Sequence, residues 1–368
     1  MSQRKTRFVP MLILMLALTL AACTSAPADD GSAEEIAATA ALAEEASSEA
    51  MPEGVNLDAV KEYAVGHAAE MKGGADELLA VSQRYYDLAA ENGFDYAAMQ
   101  EANAEEIDGL ISAARAAWLN ASEAYELDEG IVAGVPSLAY YDVLLDAGDS
   151  AADNPEEALD WTLTLPDGTE LKSPGNYFHS LLEPTLWQTN PDFTVDAGDV
   201  ALPDANLLLG TAQGLDGAAQ ELNDAIDAWE PTLSDAFTAL IVMVPTMNEY
   251  FEQWKLSSFV SGAAAEEESF VAASRLFDVK SILNGLDVTY TNVSALVEEA
   301  DPDLNAQIES GFDDLIGYVD DLYSQEQEGA LFTPEEADLF GSEAQDKATA
   351  LAGQVSQAAA LLDIKVQE

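Results

Sequence analysis

Apolar residues recur at spacings of three and four along most of the chain, and this pattern constrains the fold more than any other feature. Such spacing places side chains on one face of an α-helix. The pattern predicts two long helices, at Leu57–Asn92 and about Tyr96–Leu127, and a shorter segment at Pro136–Leu145. Asn92 and Gly93 form a stop signal for the first helix. The first half of the chain is therefore expected to be mainly helical.

The second half carries the same periodicity and clearer helix starts. Thr333 is suited to cap a helix whose first residue is Pro334, and Glu336 stands three residues after that cap. The predicted helices lie near Asp204–Trp229, Pro231–Leu256, Glu266–Glu299, Pro302–Gln325 and Pro334–Ile364. Because the connections are short, we expect an all-α fold of up-and-down helical bundles.

The first 53 residues are expected to direct and tether the protein. Three basic residues within the first seven precede an apolar run, Met11–Leu20, that is too short to span a bilayer stably. The run ends in Leu-Ala-Ala-Cys, which resembles a bacterial lipobox. The resemblance implies a signal peptide at 1–22 and a lipid on Cys23 that anchors the protein to a membrane. Residues 23–53, rich in Ala and Glu, are expected to form a flexible acidic tether.

One segment after the tether departs from helical periodicity. Trp161–Leu165 and Thr169–Leu171 flank a turn at 166–168, which predicts a small hairpin insertion. About 315 residues follow the tether, enough for two domains of ordinary size. We expect a first helical bundle at 54–198 and a second at 199–368.

The formal net charge of the chain is −56, from 69 acidic and 13 basic residues. Such a field repels nucleic acids and anionic lipid headgroups, so we expect no nucleic-acid partner. It attracts cations. The alternative is that the carboxylates form a solvated surface, as an adaptation to solubility or high salt. Because Cys23 is the only cysteine, a lipidated chain has no thiol for disulfides or metal ligation.

His179 is one of only two histidines. On a helix it shares a face with Glu183, four residues later, and an imidazole beside a carboxylate is half of a metal site. The alternative is a histidine that is packed or hydrogen-bonded in the core. His67 has Glu70 at His-x-x-Glu spacing, but it lies on an apolar stripe and is interpreted as a residue at the edge of the core.

Several segments, in order along the chain, resemble those of the imelysin family. They are Ala113–Trp118 with Tyr125–Glu126, Asp142–Asp146, Phe178–Trp187, Ser274–Asp278 with Asn284–Gly285, Asp301–Phe312, and Ala348–Leu362. The segment Phe178–Trp187 is similar to the family's Gly-x-His-x-x-Glu motif and the Leu-Trp pair after it. The family includes EfeO/EfeM-type iron-uptake lipoproteins and insulin-cleaving membrane proteases. The resemblance, over roughly 57–364, implies two helical bundles of the imelysin type.

The resemblance also implies a metal site. Its candidate ligands, carried over residue by residue, are His179, Glu183, Glu123, Glu126, Asp142 and Asp146. One imidazole with several carboxylates is an oxygen-rich set suited to iron, manganese or calcium. The resemblance implies that the protein binds an iron ion on the extracytoplasmic face of the cell envelope. The ion would then be taken up through a permease or another envelope protein.

Two other functions stay open. The gap between His179 and Glu183 is one residue longer than in the family motif, and Gly175 lies four residues before His179 rather than two. A scaffold or interaction lipoprotein with a decayed metal site would show such a departure. A metallopeptidase is the third option, although the chain contains neither His-Glu-x-x-His nor Gly-x-Ser-x-Gly. Enzyme activity is therefore the weaker interpretation.

Overall fold

The structure is a computed structural model that describes residues 53–152, 154–156, 158–265 and 269–367. The expected signal peptide, the lipidated Cys23 and the tether up to residue 52 lie outside the described residues.

The described chain begins with two long helices that pack against each other, α1 (Leu57–Glu91) and α2 (Tyr96–Val132). Each starts after a side chain, Asn56 or Asp95, that accepts a hydrogen bond from an amide of the first turn. Both long helices confirm the predictions, and α2 continues beyond its expected end at Leu127. This extension carries Glu129, one of the carboxylates at the candidate site.

The later helices differ widely in length. They are α3 (Ala139–Asp142), α4 (Glu183–Trp187), α5 (Ala205–Ala228), α6 (Leu233–Met243), α7 (Met247–Leu256), α8 (Ser258–Ser261), α9 (Arg275–Thr291), α10 (Ser294–Ala300), α11 (Pro302–Gln327) and α12 (Pro334–Leu361). Two turns of π-helix lie at Val143–Ala147 and Tyr177–Leu182, and 3-10 turns lie at Pro191–Phe193, Val244–Thr246 and Gly262–Ala264. The described chain is thus all-α in class, as predicted.

Short strands form two ribbons. The antiparallel strands β1 (Thr162–Thr164) and β2 (Glu170–Lys172) pair with Leu163 opposite Leu171, which confirms the predicted hairpin. A second antiparallel pair, β3 (Thr194–Asp196) with β4 (Ala201–Pro203), was not predicted from the sequence. The first ribbon leads directly into the π-helical turn that contains His179.

Two predicted helices are wrong in detail. The helix expected at Pro231–Leu256 is divided into α6 and α7 by a 3-10 turn that contains Pro245, which has no amide hydrogen to donate. The helix expected at Glu266–Glu299 starts only at Arg275, after a Ser274 cap. The described residues 269–273 before that cap are not helical. That helix also breaks after Thr291, where a new short helix begins at Ser294.

Helix α9 contacts helices from both halves of the described chain. It packs against α2, α7 and α11, while α5 packs along α1 and α12 packs on α7 and α11. Residues Pro52–Glu368 form one compact unit. The proposed division into bundles at 54–198 and 199–368 stays a prediction. No helix in the described residues has the length and apolar character needed to cross a bilayer.

Candidate metal centre

Helix α2 supplies two buried carboxylates one turn apart. Glu126 and Glu129 lie three residues apart, so their side chains leave the same face of the helix. Both are almost completely buried, with 1% and 2% of their surface exposed. Charged side chains are rarely buried to this degree without a partner. This face of α2 is therefore built around polar rather than apolar contacts.

A π-helical turn after α3 supplies the third carboxylate. Asp142 ends α3, and Asp146 lies within the π-turn Val143–Ala147. The hydroxyl of Tyr125 donates a hydrogen bond of 2.8 Å to Asp142 Oδ1. Asp146 is directed instead toward His179. The two aspartates therefore differ in role, one being held by a tyrosine and the other facing the imidazole.

The segment Tyr177–Leu182, which contains His179, is a second π-helical turn that runs directly into α4. The side chain of Asn176 caps it and accepts hydrogen bonds from the amides of His179 and Ser180. A π-turn arises when one extra residue is inserted into an α-helix, and such turns are frequent at functional sites. The π-turn brings His179 Nδ1 to within 2.8 Å of Glu183 Oε2, four residues later.

His179 lies between two carboxylates. Its Nδ1 is 2.8 Å from Glu183 Oε2, and its Nε2 is 2.9 Å from Asp146 Oδ1. Burial alone would lower the pKa of His179, but the charges and hydrogen bonds of Asp146 and Glu183 outweigh it and raise the pKa to about 10. Without a bound cation, the side chain is an imidazolium. A metal bound at Nε2 would displace that proton.

Five buried atoms meet at this point, and three of them, both carboxylate oxygens of Glu126 and Oε2 of Glu129, have no hydrogen-bond partner among the described residues. The other two, Asp146 Oδ1 and His179 Nε2, face each other at 2.9 Å. Ligand atoms of Glu126, Asp146 and His179 all lie within 4.8 Å of one another. We call these three residues the acidic triad. Unpaired buried polar atoms are costly, and their convergence fits a cation that bonds to several of them at once.

Helix α9 adds a built-in cation beside the triad. Arg275 Nη1 lies 2.8 Å from Asp278 Oδ2 and 3.9 Å from Glu126 Oε1. The guanidinium also lies over the ring of Tyr250, 4.6 Å from its centroid. The hydroxyl of Tyr250 donates a hydrogen bond to Glu129 Oε1. Arg275 and the imidazolium of His179 therefore face a larger number of carboxyl groups.

The pKa directions record this excess. Burial, followed by the charges of Asp278, Glu129 and Asp146, raises the pKa of Glu126 well above its usual range. Burial and the charge of Asp146 raise the pKa of Glu129 to about 7. These carboxylates hold protons that a metal ion would replace.

The site opens into a cavity of about 520 Å³. Its walls include Glu129, Asp142, Asp146, His179, Ser269, Phe270 and Arg275. The volume exceeds that of a single ion, which leaves room for water or additional donor groups on the open side. The donor set is one imidazole nitrogen with carboxylate oxygens, which suits hard or borderline cations.

The structure brings only some of the predicted ligands together. His179, Glu126 and Asp146 form the triad, and Asp142 lines the same cavity. Glu183 contacts His179 on the side opposite Asp146, through Nδ1. Glu123 is exposed and lines a different surface depression.

His67 stands apart from this group. Its Nδ1 pairs with Glu70 at 3.1 Å and its ring packs against Tyr63, as expected for a histidine at the edge of the core.

Sequence reasoning missed Glu129, Tyr250 and Arg275. The spacing of Glu129 from Glu126 was a usable signal, because a helix brings residues three apart onto one face. Arg275 lies within a segment already noted for its family resemblance, but nothing in the sequence indicated that it faces the carboxylates. Tyr250 comes from α7, and only the fold brings it to the site.

The fold and the site together define an all-α protein with a buried carboxylate–histidine centre at the junction of α2, α9 and two π-turns. The imelysin family profile, which carries the peptidase designation M75, matches residues 61–362. The chain belongs to the imelysin family. No curated protein matches the sequence.

Proposed function

We propose that this protein is a lipid-anchored, extracytoplasmic member of the imelysin family that binds a metal ion, iron, for uptake. The observation that carries the proposal is the convergence of buried ligand atoms from Glu126, Asp146 and His179, beside oxygens of Glu126 and Glu129 that have no hydrogen-bond partner among the described residues. Such atoms are uncommon in a protein interior, because each one lowers stability. A bound cation would satisfy them together.

The chemistry of the donors favours iron or manganese over structural zinc. Glu126 and Asp146 would supply carboxylate oxygens, and His179 would supply Nε2 after losing its proton. Glu183 at Nδ1 would hold the imidazole in the tautomer that presents Nε2, an arrangement common around metal-bound histidines. Arg275 would limit the excess negative charge when the cation is absent.

The lipobox-like sequence and the acidity support the proposed location and the attraction of cations. A lipid on Cys23 would keep the protein at the membrane. A net charge of −56 would raise the local concentration of cations and discourage binding to nucleic acids. The partner that receives the ion would be a permease or another protein of the envelope.

The test compares the purified mature protein with a His179→Ala variant. Elemental analysis identifies the metal that is retained, and calorimetry measures its stoichiometry and affinity. We expect one ion per wild-type chain and a loss of at least tenfold in affinity in the variant, because an imidazole ligand is removed. Unchanged stoichiometry and affinity would contradict the proposal.

A scaffold lipoprotein with a decayed metal site is the alternative, and it predicts no metal in either protein. The longer gap before Glu183 is its support in the sequence. Against it stands the π-turn, which keeps His179 in contact with both Asp146 and Glu183 despite the extra residue.

A further inference from the structure

The residues Ser269–Ala272, which we call the strap, are bound by the carboxylate of Glu183. The Phe270 amide donates to Oε2, and the Val271 and Ala272 amides both donate to Oε1, each at 2.8 Å. Oε2 also contacts His179 Nδ1. A carboxylate has about four lone-pair positions, and these four contacts fill them. Glu183 is thus fully occupied without a metal ion.

A second contact binds the strap to the π-turn itself. In this turn the Glu183 amide donates to the carbonyl of Phe178, five residues back. The next donor in that pattern would be residue 184, but Pro184 has no amide hydrogen. The carbonyl of His179 accepts instead from Ser269 Oγ, at 2.6 Å. The proline therefore leaves a carbonyl that the strap satisfies.

Phe270 places an aromatic ring over the site. Its ring centroid is 4.4 Å from that of the His179 imidazole and 4.2 Å from the guanidinium carbon of Arg275. The backbone of Phe270 has φ 53°, in the left-handed region that is unfavourable for a phenylalanine. Surrounding contacts must hold such a conformation, and here they are the bonds to Glu183 and His179.

We propose that Glu183 is a latch for the strap rather than a ligand of the metal ion. The strap covers His179 in its closed form, and the strained φ of Phe270 favours its opening when the latch is weakened. The inference rests on the proposed metal site, and it adds that a bound ion leaves only after the strap opens. Glu183 therefore controls the dissociation rate of the ion more than its stoichiometry.

The test uses Glu183→Gln in the mature protein, with Mn²⁺ as the probe. Glutamine keeps one acceptor oxygen but turns an NH₂ group toward donors, so one side of the latch is lost. We expect Mn²⁺ to dissociate into excess chelator about 10–100 times faster than from the wild type, as loss of a charged hydrogen bond predicts. Saturating Mn²⁺ should still bind at one ion per chain.

Hydrogen exchange at residues 270–272, measured on the metal-free protein, tests the latch independently of metal binding. Exchange should be about tenfold faster or more in Glu183→Gln, since the amides lose their acceptor. Ser269→Ala leaves Glu183 intact and removes the bond to the His179 carbonyl. We expect Mn²⁺ dissociation and amide exchange of the strap to be faster than in the wild type, but by less than in Glu183→Gln. This variant decides the question if Glu183→Gln does not fold.

Glu123→Gln is the matched control, because it neutralises an exposed glutamate on α2 and should change neither rate. Loss of the Mn²⁺ stoichiometry in Glu183→Gln with unchanged strap exchange would make Glu183 a ligand and overturn the inference. Unchanged exchange and unchanged dissociation would overturn it as well. A wild type that binds no Mn²⁺ would contradict the proposed metal function, while the metal-free exchange would still support or refute the latch.

Discussion

At the scale of single residues, the side chains proposed to bind the metal ion lower the stability of the metal-free fold. Glu126 is 1% exposed, and neither of its oxygens has a hydrogen-bond partner among the described residues. Its pKa is raised, so around neutral pH the folded metal-free protein binds more protons there than the unfolded chain does. By linkage, the free energy of unfolding therefore falls as the pH rises above the pKa that Glu126 has in the unfolded chain.

Replacing Glu126 with Gln should therefore stabilise the metal-free protein while weakening metal binding. The amide is neutral without taking up a proton, so folding no longer carries the cost of protonating this side chain, and we expect the free energy of unfolding to rise by about 1–3 kcal/mol at pH 7. The metal affinity should fall at least tenfold, since one carboxylate ligand is lost. Urea unfolding in chelator measures the first effect and calorimetry the second. A metal-free variant that is less stable than the wild type would refute the argument.

The metal affinity should also rise with pH. Binding needs His179, with a pKa of about 10, and Glu129, with a pKa of about 7, to lose their protons. Below pH 7 the side chains of Glu129 and His179 both hold protons that compete with the metal ion. Between pH 7 and pH 10 only the imidazolium of His179, of these two, still holds its proton. Each displaced proton changes the apparent affinity by about tenfold per pH unit. Titrations from pH 6 to pH 8 test this, and a flat profile would contradict it.

At the scale of secondary-structure elements, the sequence predicts the helices far better than the turns that build the site. Periodicity identified α1 and α2, because an apolar stripe is a local signal. It missed both π-turns, since a single inserted residue changes the hydrogen-bond pattern without changing the apolar content. Arg275 and Tyr250 could not be found in this way because their meeting with Glu126 and Glu129 depends on the packing of α9 and α7.

The start of the second π-turn depends on a glycine. Gly175 has φ 97°, and a Cβ atom there would lie 2.4 Å from Ser180 Oγ, inside the turn. Gly175→Ala should therefore displace the turn, lower the free energy of unfolding by about 2–4 kcal/mol and weaken metal binding. Urea unfolding and calorimetry measure the two effects.

Gly168→Ala is the control for this substitution. Gly168, in the hairpin turn, also has a positive φ of 88°, but a Cβ atom there would meet open space. We expect only the conformational cost, about 1 kcal/mol, and no change in metal affinity. Equal effects of the two variants would show that the fit of Gly175 against Ser180 does not matter.

At the scale of the whole molecule, two kinds of negative charge must be separated. A net charge of −56 repels itself throughout the folded protein, and monovalent salt screens that repulsion at a Debye length of about 3 Å in 1 M salt. The carboxylates of the triad are buried, so salt screens them far less. Monovalent salt should therefore reduce the repulsion between surface charges, whereas only a bound metal ion should neutralise the buried carboxylates.

This difference gives a prediction for thermal stability. Raising NaCl from 0.05 M to 1 M should increase the Tm by roughly 5 °C or more in both the wild type and His179→Ala, because surface repulsion is common to both. Adding Mn²⁺ at constant ionic strength should raise the Tm further in the wild type than in His179→Ala, as expected when a ligand binds the folded state and binds the variant more weakly. Differential scanning calorimetry distinguishes the two contributions. If Mn²⁺ stabilised both proteins equally, its effect would arise from the acidic surface, and the acidic triad would not be the binding site.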